Sequence, residues 1–150
     1  MNRIFKAISL FILLISFNTL KAQIVTDRRP SLFAAYANTI NFPATELEKI
    51  FNTAEGKPIK LSLGDNFNFT GVIVSSVQRY NNLKSVVVRL NNLDSTIFGI
   101  SKRINDDKSI SYIGRIINIK YGDAFELKTD ANGNYFINKT RTEKLIEDHD

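Results

Sequence analysis

Bond-making chemistry needs a base, a nucleophile or a set of metal ligands, and this chain is poor in all three. His149, the single histidine, is next to the last of 150 residues, and there is no cysteine. Cys–His and Ser–His–Asp mechanisms therefore have no base in a useful place. Zinc sites built from cysteine or several histidines are ruled out. Carboxylates remain. Asp130-Ala131-Asn132-Gly133-Asn134 alternates acids and amides as calcium loops do. An EF-hand loop, however, wants glycine sixth and a bidentate glutamate twelfth from its first aspartate. Tyr135 and Arg141 hold those places, so a hairpin turn with Gly133 in the left-handed region is the better account. A glycosidase-like pair would have to come from Asp65, Asp94, Asp123 and Glu126. The three aspartates fall at expected turns, where the side chain caps its own backbone. No catalytic residue, metal or cofactor is assigned on these grounds.

Binding needs less machinery. Tyr36, Tyr80, Tyr112, Tyr121 and Tyr135, with many asparagines, are the types that line protein- or sugar-binding surfaces. The competing account of each tyrosine is a ring on the core with its hydroxyl in water. A second candidate surface is the segment holding Ile24, Val25, Leu32, Phe33 and Tyr36 beside the basic pair Arg28-Arg29. Arg28, Arg29, Phe33 and Tyr36 are its proposed contact residues. The alternative is that this segment docks on the chain's own sheet. The tail from Thr142 is short and acidic, with Leu145 and Ile146 as its apolar residues, and is expected to fray beyond them.

The start of the chain has the three-part pattern of a cleavable export signal. Arg3 and Lys6 form a positive region, Ala7 to Phe17 is an apolar run, and Leu20 and Ala22 precede a cut after Ala22. The run is well short of the roughly 20 residues that span a bilayer. A lipid anchor on cysteine is excluded by composition. Arg3, Lys6 and Lys21 leave with the signal, so the net charge falls from +5 to +2. The remaining basic residues are interleaved with acids, which argues against nucleic acid as a partner, since that needs a face releasing several counterions. Disulfides are impossible, so stability must come from an apolar core. About 128 mature residues suffice for one domain.

Positioning falls to a β-rich fold. Three parts are expected: the signal at 1–22, an N-terminal segment at 23–41 with a short helix near 31–38, and one domain at 42–150. Leu47, Ile50, Phe51 and Ala54 follow helical spacing between Pro43 and Gly56, which predicts a helix over 44–54. After Pro58 the apolar period becomes two. Strands are expected around 59–63, 67–77, 85–90, 96–102, 109–120, 124–128 and 134–139, with tight turns between. Gly71 should bend its strand. Phe69-Thr70-Gly71 and Tyr112-Ile113-Gly114 echo each other, either as a duplicated ligand motif or as two places where aromatic-x-Gly curls a strand. The fold class is mainly β (α+β): a strongly curved antiparallel meander or small barrel of about six to seven strands, with one or two short N-terminal helices packed against it.

The functional expectation is an exported, non-catalytic binding module. It would be periplasmic, envelope-associated or extracellular, and would engage a protein, as an inhibitor of a secreted hydrolase. An envelope-associated domain binding carbohydrate or a small ligand is the first alternative, and a small hydrolase using a carboxylate pair the second. Architecture alone does not decide among them.

Overall fold

The computed structural model describes residues 29–64, 67–93 and 95–147. The export signal, Ile24, Val25, Arg28, Asp65, Asp94 and His149 lie outside the described residues. Within them the order is β1 (Thr39–Asn41), α1 (Ala44–Asn52), β2 (Pro58–Ser62), β3 (Asn68–Tyr80), β4 (Leu83–Leu90), β5 (Ile97–Ile104), β6 (Ile110–Ile117), β7 (Asp123–Thr129), β8 (Tyr135–Arg141) and a single helical turn, α2 (Lys144–Glu147). The strands form one antiparallel sheet in the order β1-β8-β7-β6-β5-β4-β3-β2. It is a meander from β2 to β8, with β1 added beyond β8.

The sheet curls into a half-barrel. Its edge strands meet at one corner, where the Gly64 N–H donates to the Asn41 carbonyl at 3.3 Å. Alternation along each strand sends one set of side chains inward. Phe67, Phe69, Phe98, Phe125, Ile73, Val88, Ile116 and Ile137 are buried there. Phe67 stands edge-on to Phe69 at 4.3 Å between ring centres, and Phe125 lies 4.8 Å from Phe33. α1 adds Leu47, Ile50 and Phe51 to this core and packs against β2 and β4. Two lysines tie it down from the sheet: Lys84 Nζ donates to the Phe51 carbonyl at 2.9 Å, and Lys102 reaches Glu48.

Curvature has a steric origin. Gly71 and Gly114 belong to the inward-facing sets of β3 and β6. A Cβ on Gly71 would stand 2.5 Å from the Arg89 carbonyl oxygen, and one on Gly114 would be 3.0 Å from the Phe98 ring. Neither strand could approach its neighbour so closely with a side chain there. The echo of Phe69-Thr70-Gly71 in Tyr112-Ile113-Gly114 is thus two places where a strand bends over the core. The ladder between β3 and β4 shifts register just past the first, between Ile73 and Ser75.

Several expectations need correction. Among the described residues there are eight strands rather than six or seven, because β1 forms by pairing with β8 almost a hundred residues on. No helix occupies 31–38. The Asp123 carboxylate takes the backbone N–H groups of Leu32 and Phe33 at 2.7 and 2.8 Å and the Ser31 hydroxyl, and only one turn follows, Tyr36 N–H to Phe33 carbonyl at 3.0 Å. The chain must then extend into β1. α1 ends at Asn52, leaving Ala54 exposed. The expected strand 109–120 stops at Ile117, where Asn118 turns inward and is buried. β3, in contrast, runs on to Tyr80.

Candidate functional site

Two of the carboxylates considered for chemistry, Asp123 and Asp130, serve the backbone. Asp123 opens β7 instead of sitting in a turn, and it is buried by the segment it binds. Glu126, three residues on, points to the other face of the same strand, so these two cannot flank one substrate. Asp130 is consumed by its hairpin: Oδ1 accepts the N–H groups of Asn132 and Asn134 at 2.9 and 2.8 Å, and Oδ2 accepts the Asn134 side-chain amide at 3.0 Å. These bonds hold its carboxyl below the usual range, the Asn134 amide foremost. Gly133 takes φ +82° in the same turn. Among the described residues no three His, Asp or Glu side chains converge.

One polar cluster survives on the inner side, at the seam between α1 and the sheet. Lys102 Nζ donates to both oxygens of Glu48, at 2.8 and 2.9 Å, and the Tyr112 hydroxyl donates to Oε1. The ammonium also stands 5.9 Å above the Tyr112 ring, whose other contacts are Phe51 and Tyr135. Lys102 holds the Glu48 carboxyl below its usual range, with the Tyr112 hydroxyl adding to the effect. Burial, then the neighbouring carboxylate, pushes the Tyr112 phenol up. A phenol that keeps its proton and a carboxylate that has given it up are both already paired. The cluster straps a helix to a sheet.

The tyrosines do not make one platform. Tyr36 stands edge-on to Phe67 at 4.3 Å, Tyr112 and Tyr135 pack together, Tyr121 is half-buried, and Tyr80 alone is widely exposed, at the β3–β4 hairpin. Of the proposed N-terminal contact residues, Phe33 is 0 % exposed and so is withdrawn from any partner in this arrangement. Tyr36 is half-buried, and its carbonyl accepts Lys139 Nζ at 2.7 Å. Arg29 is exposed, and its guanidinium donates to the Ile119 carbonyl at 2.8 Å.

That bond leads to the feature sequence reasoning missed. On the outer face of the sheet, Gly99 of β5 lies opposite Val87 on one side and Arg115 on the other. A Cβ there would meet nothing within 4 Å. Ile97 and Ile117, paired across β5 and β6, border the gap at one end, and Ile113, opposite Ser101, borders it at the other. Arg115, whose guanidinium is bound to the Leu145 carbonyl of α2 at 3.0 Å, and Glu126 line the groove as well. The result is a mainly apolar groove of about 550 Å³ with Arg115 and Glu126 on its walls. Ile97 is 42 % exposed, Ile113 70 % and the adjoining Ile119 78 %. Single exposed apolar residues are ordinary; Ile97, Ile113 and Ile117 are instead gathered around one vacancy. The clue was the isoleucine content of 110–119, too dense for one inward-facing row.

Among the described residues no helix is long and apolar enough to cross a membrane. The chain matches no known protein-family model, no curated protein and no solved structure.

Proposed function

We propose that this protein is an exported, non-catalytic binding module that engages a protein partner through the outer face of β5 and β6. The observation that carries this reading is the vacancy at Gly99, ringed by Ile97, Ile113 and Ile117. A protein side chain or an extended segment fits such a groove, since apolar burial supplies the driving force and the flanking strands supply shape. The pairing of Glu48, Lys102 and Tyr112 with one another across the seam between α1 and the sheet supports a structural role for that cluster. A secreted hydrolase inhibited by occlusion remains the partner class proposed from the export signal.

The test uses the mature chain beginning at Gln23 and its Ile113→Glu variant as baits in the native extracellular fraction. A partner retained by the parent and by Tyr80→Ser, but lost by Ile113→Glu with an unchanged unfolding midpoint, supports the outer groove. Equal retention by Ile113→Glu overturns it. Where the captured partner is a hydrolase, its activity should fall as the parent chain is titrated in.

A further inference from the structure

We propose that the chain pairs with a second copy of itself through the free half of β3, edge to edge and antiparallel about Val77. This surface is separate from the outer groove, and the inference does not rest on that groove. β3 runs from Asn68 to Tyr80, but β2 pairs with it only from Asn68 to Val72. Contact on that side ends where the Ile73 carbonyl accepts the Gly56 N–H at 2.8 Å. From Val74 on, β4 is the only strand beside β3 among the described residues. The edge of β2 is covered by α1: Glu46 accepts the Ser62 N–H at 3.1 Å, and Lys49 donates to the Lys60 carbonyl. The free half of β3 has one such cover, the Glu55 carboxylate on the Ser76 N–H at 3.0 Å. Sheets blunt an open edge with charged side chains, proline and bulges. Along Val74–Tyr80 the single charge is Arg79, proline is absent, and Val74, Val77 and Tyr80 are exposed. The register shifts fall at the two ends, between Ile73 and Ser75 and between Gln78 and Tyr80, which leaves Ser75–Gln78 regular between them.

The pairing register follows from which groups point outward. The Ser76 N–H faces away from β4, toward Glu55. Gln78, two residues on, therefore aims its own N–H and carbonyl at the same edge. A two-fold axis at Val77 sets Ser76 opposite Gln78 of the second copy and Gln78 opposite Ser76 of the second copy, and each pair exchanges both of its backbone bonds. Val77 faces its own counterpart between them. The same operation sets Arg79 of the second copy opposite Ser75, beside the N–H that Glu55 holds. Glu55 gives up that N–H to the incoming carbonyl and comes within reach of the incoming guanidinium, and the symmetry makes the contact twice. This complementarity is to the chain's own sequence, which selects a second copy over an unrelated strand. The contact uses the same patch on both copies and so closes on itself. Its axis stands perpendicular to the sheet, so both outer grooves open to the same side.

The chain's lack of cysteine makes a direct test possible. Facing Cβ atoms in such a pair stand about 4.5–5.5 Å apart, so Val77→Cys, in the chain beginning at Gln23, should form an intermolecular disulfide, read by mass under non-reducing conditions. The reference is Ala131→Cys, exposed in the β7–β8 turn. Oxidation at 77 should be on the order of tenfold faster, because pairing raises the effective concentration of one thiol at the other. Sedimentation velocity on the unsubstituted chain should show a concentration-dependent dimer, a weak one, since a single strand edge is a small interface. Arg79→Glu faces Glu55 with a like charge and should weaken it on the order of tenfold, and Glu55→Arg combined with Arg79→Glu should restore it. Both side chains are exposed, so folding is preserved. Val77→Cys that cross-links no faster than Ala131→Cys overturns the pairing. So does a dimer that Arg79→Glu leaves intact, or one that Ile113→Glu abolishes, since the second copy then sits on the outer groove. A foreign protein held by a monomeric chain and lost in Arg79→Glu gives the edge to another strand and equally overturns the second copy.

Discussion

Gly114 and Gly99 lie in adjacent strands, yet they answer to opposite demands. At Gly114, as at Gly71, a methyl group would strike a ring or a carbonyl that cannot move without straightening the sheet. At Gly99 the same methyl group would project into open space. The inner glycines are therefore conditions of the fold, and their neighbours are the aromatic core. The outer glycine is no condition of the fold, and its neighbours are exposed isoleucines. One residue type in one sheet separates what builds the molecule from what the molecule presents. Substitutions on the two faces should behave accordingly.

The inner face should show the largest effect. Phe125 is fully buried, with Phe33 and Phe67 at 4.8 and 5.5 Å between ring centres. Phe125→Ala removes a ring from a packed cluster and should cost about 3–5 kcal/mol, the transfer term plus the cavity left behind. Urea unfolding followed by tyrosine fluorescence measures it. A loss comparable to that of an outer-face substitution would erase the contrast.

The glycines sharpen it. Gly71→Ala places a Cβ 2.5 Å from backbone oxygen, which has no rotamer to escape into, and should cost about 1–3 kcal/mol through forced backbone shifts. Gly99→Ala should be neutral or should stabilise by about 0.4–1 kcal/mol, by restricting the unfolded chain. The difference between the two unfolding midpoints is the observable. Equal destabilisation would mean that Gly99 is also required by the curvature.

How much of this was legible depended on the range of the forces involved. The turn at Asp130–Gly133 and the apolar stripe of α1 are local, written in residues a few positions apart, and both were expected where they stand. Gly71 was legible as a bend because an isolated glycine in an alternating strand has few other uses. β1 was not, since Thr39-Ile40-Asn41 becomes a strand only through Phe136, Ile137 and Asn138. The helix expected at 31–38 failed for the same reason, because after a single turn the chain must straighten so that Thr39–Asn41 can pair with β8. The groove was hidden by ambiguity of phase. Ile110, Ile113, Ile116, Ile117 and Ile119 do not alternate, so nothing local says which of them face the core.

A smaller effect is expected at the seam between helix and sheet. Lys102, then the Tyr112 hydroxyl, lowers the Glu48 carboxyl from 4.5. A carboxyl depressed in the folded state stabilises fully above its unfolded value and loses that contribution as the pH falls through its folded value. The strap between α1 and the sheet should therefore be intact at neutral pH and begin to weaken near pH 4.5. Glu48→Gln should flatten the acid limb of a stability-against-pH curve and leave its neutral plateau slightly lower. Tyr112 gives the alkaline counterpart. Its phenol is raised above 10, so its contribution holds below that pH and declines above it. In an ultraviolet titration the late-ionising phenol should be lost in Tyr112→Phe. An acid limb identical in Glu48→Gln and parent would show that the cluster contributes nothing to holding α1.

The smallest effect on stability should belong to Ile113. Its side chain is 70 % exposed and stands opposite Ser101, a small residue that offers it little contact. Ile113→Ser removes apolar surface that the fold never withdrew from water, so the unfolding midpoint should move by less than about 0.5 kcal/mol equivalent. The change belongs instead to the surface, because one end of the groove beside Gly99 loses its wall. Hydrophobic interaction chromatography at fixed salt reads this directly, and the variant should elute earlier than the parent while Phe125→Ala, held below its unfolding midpoint, should not. Ile113→Ser that unfolded as readily as Phe125→Ala would place Ile113 in the core and dissolve the division between the two faces.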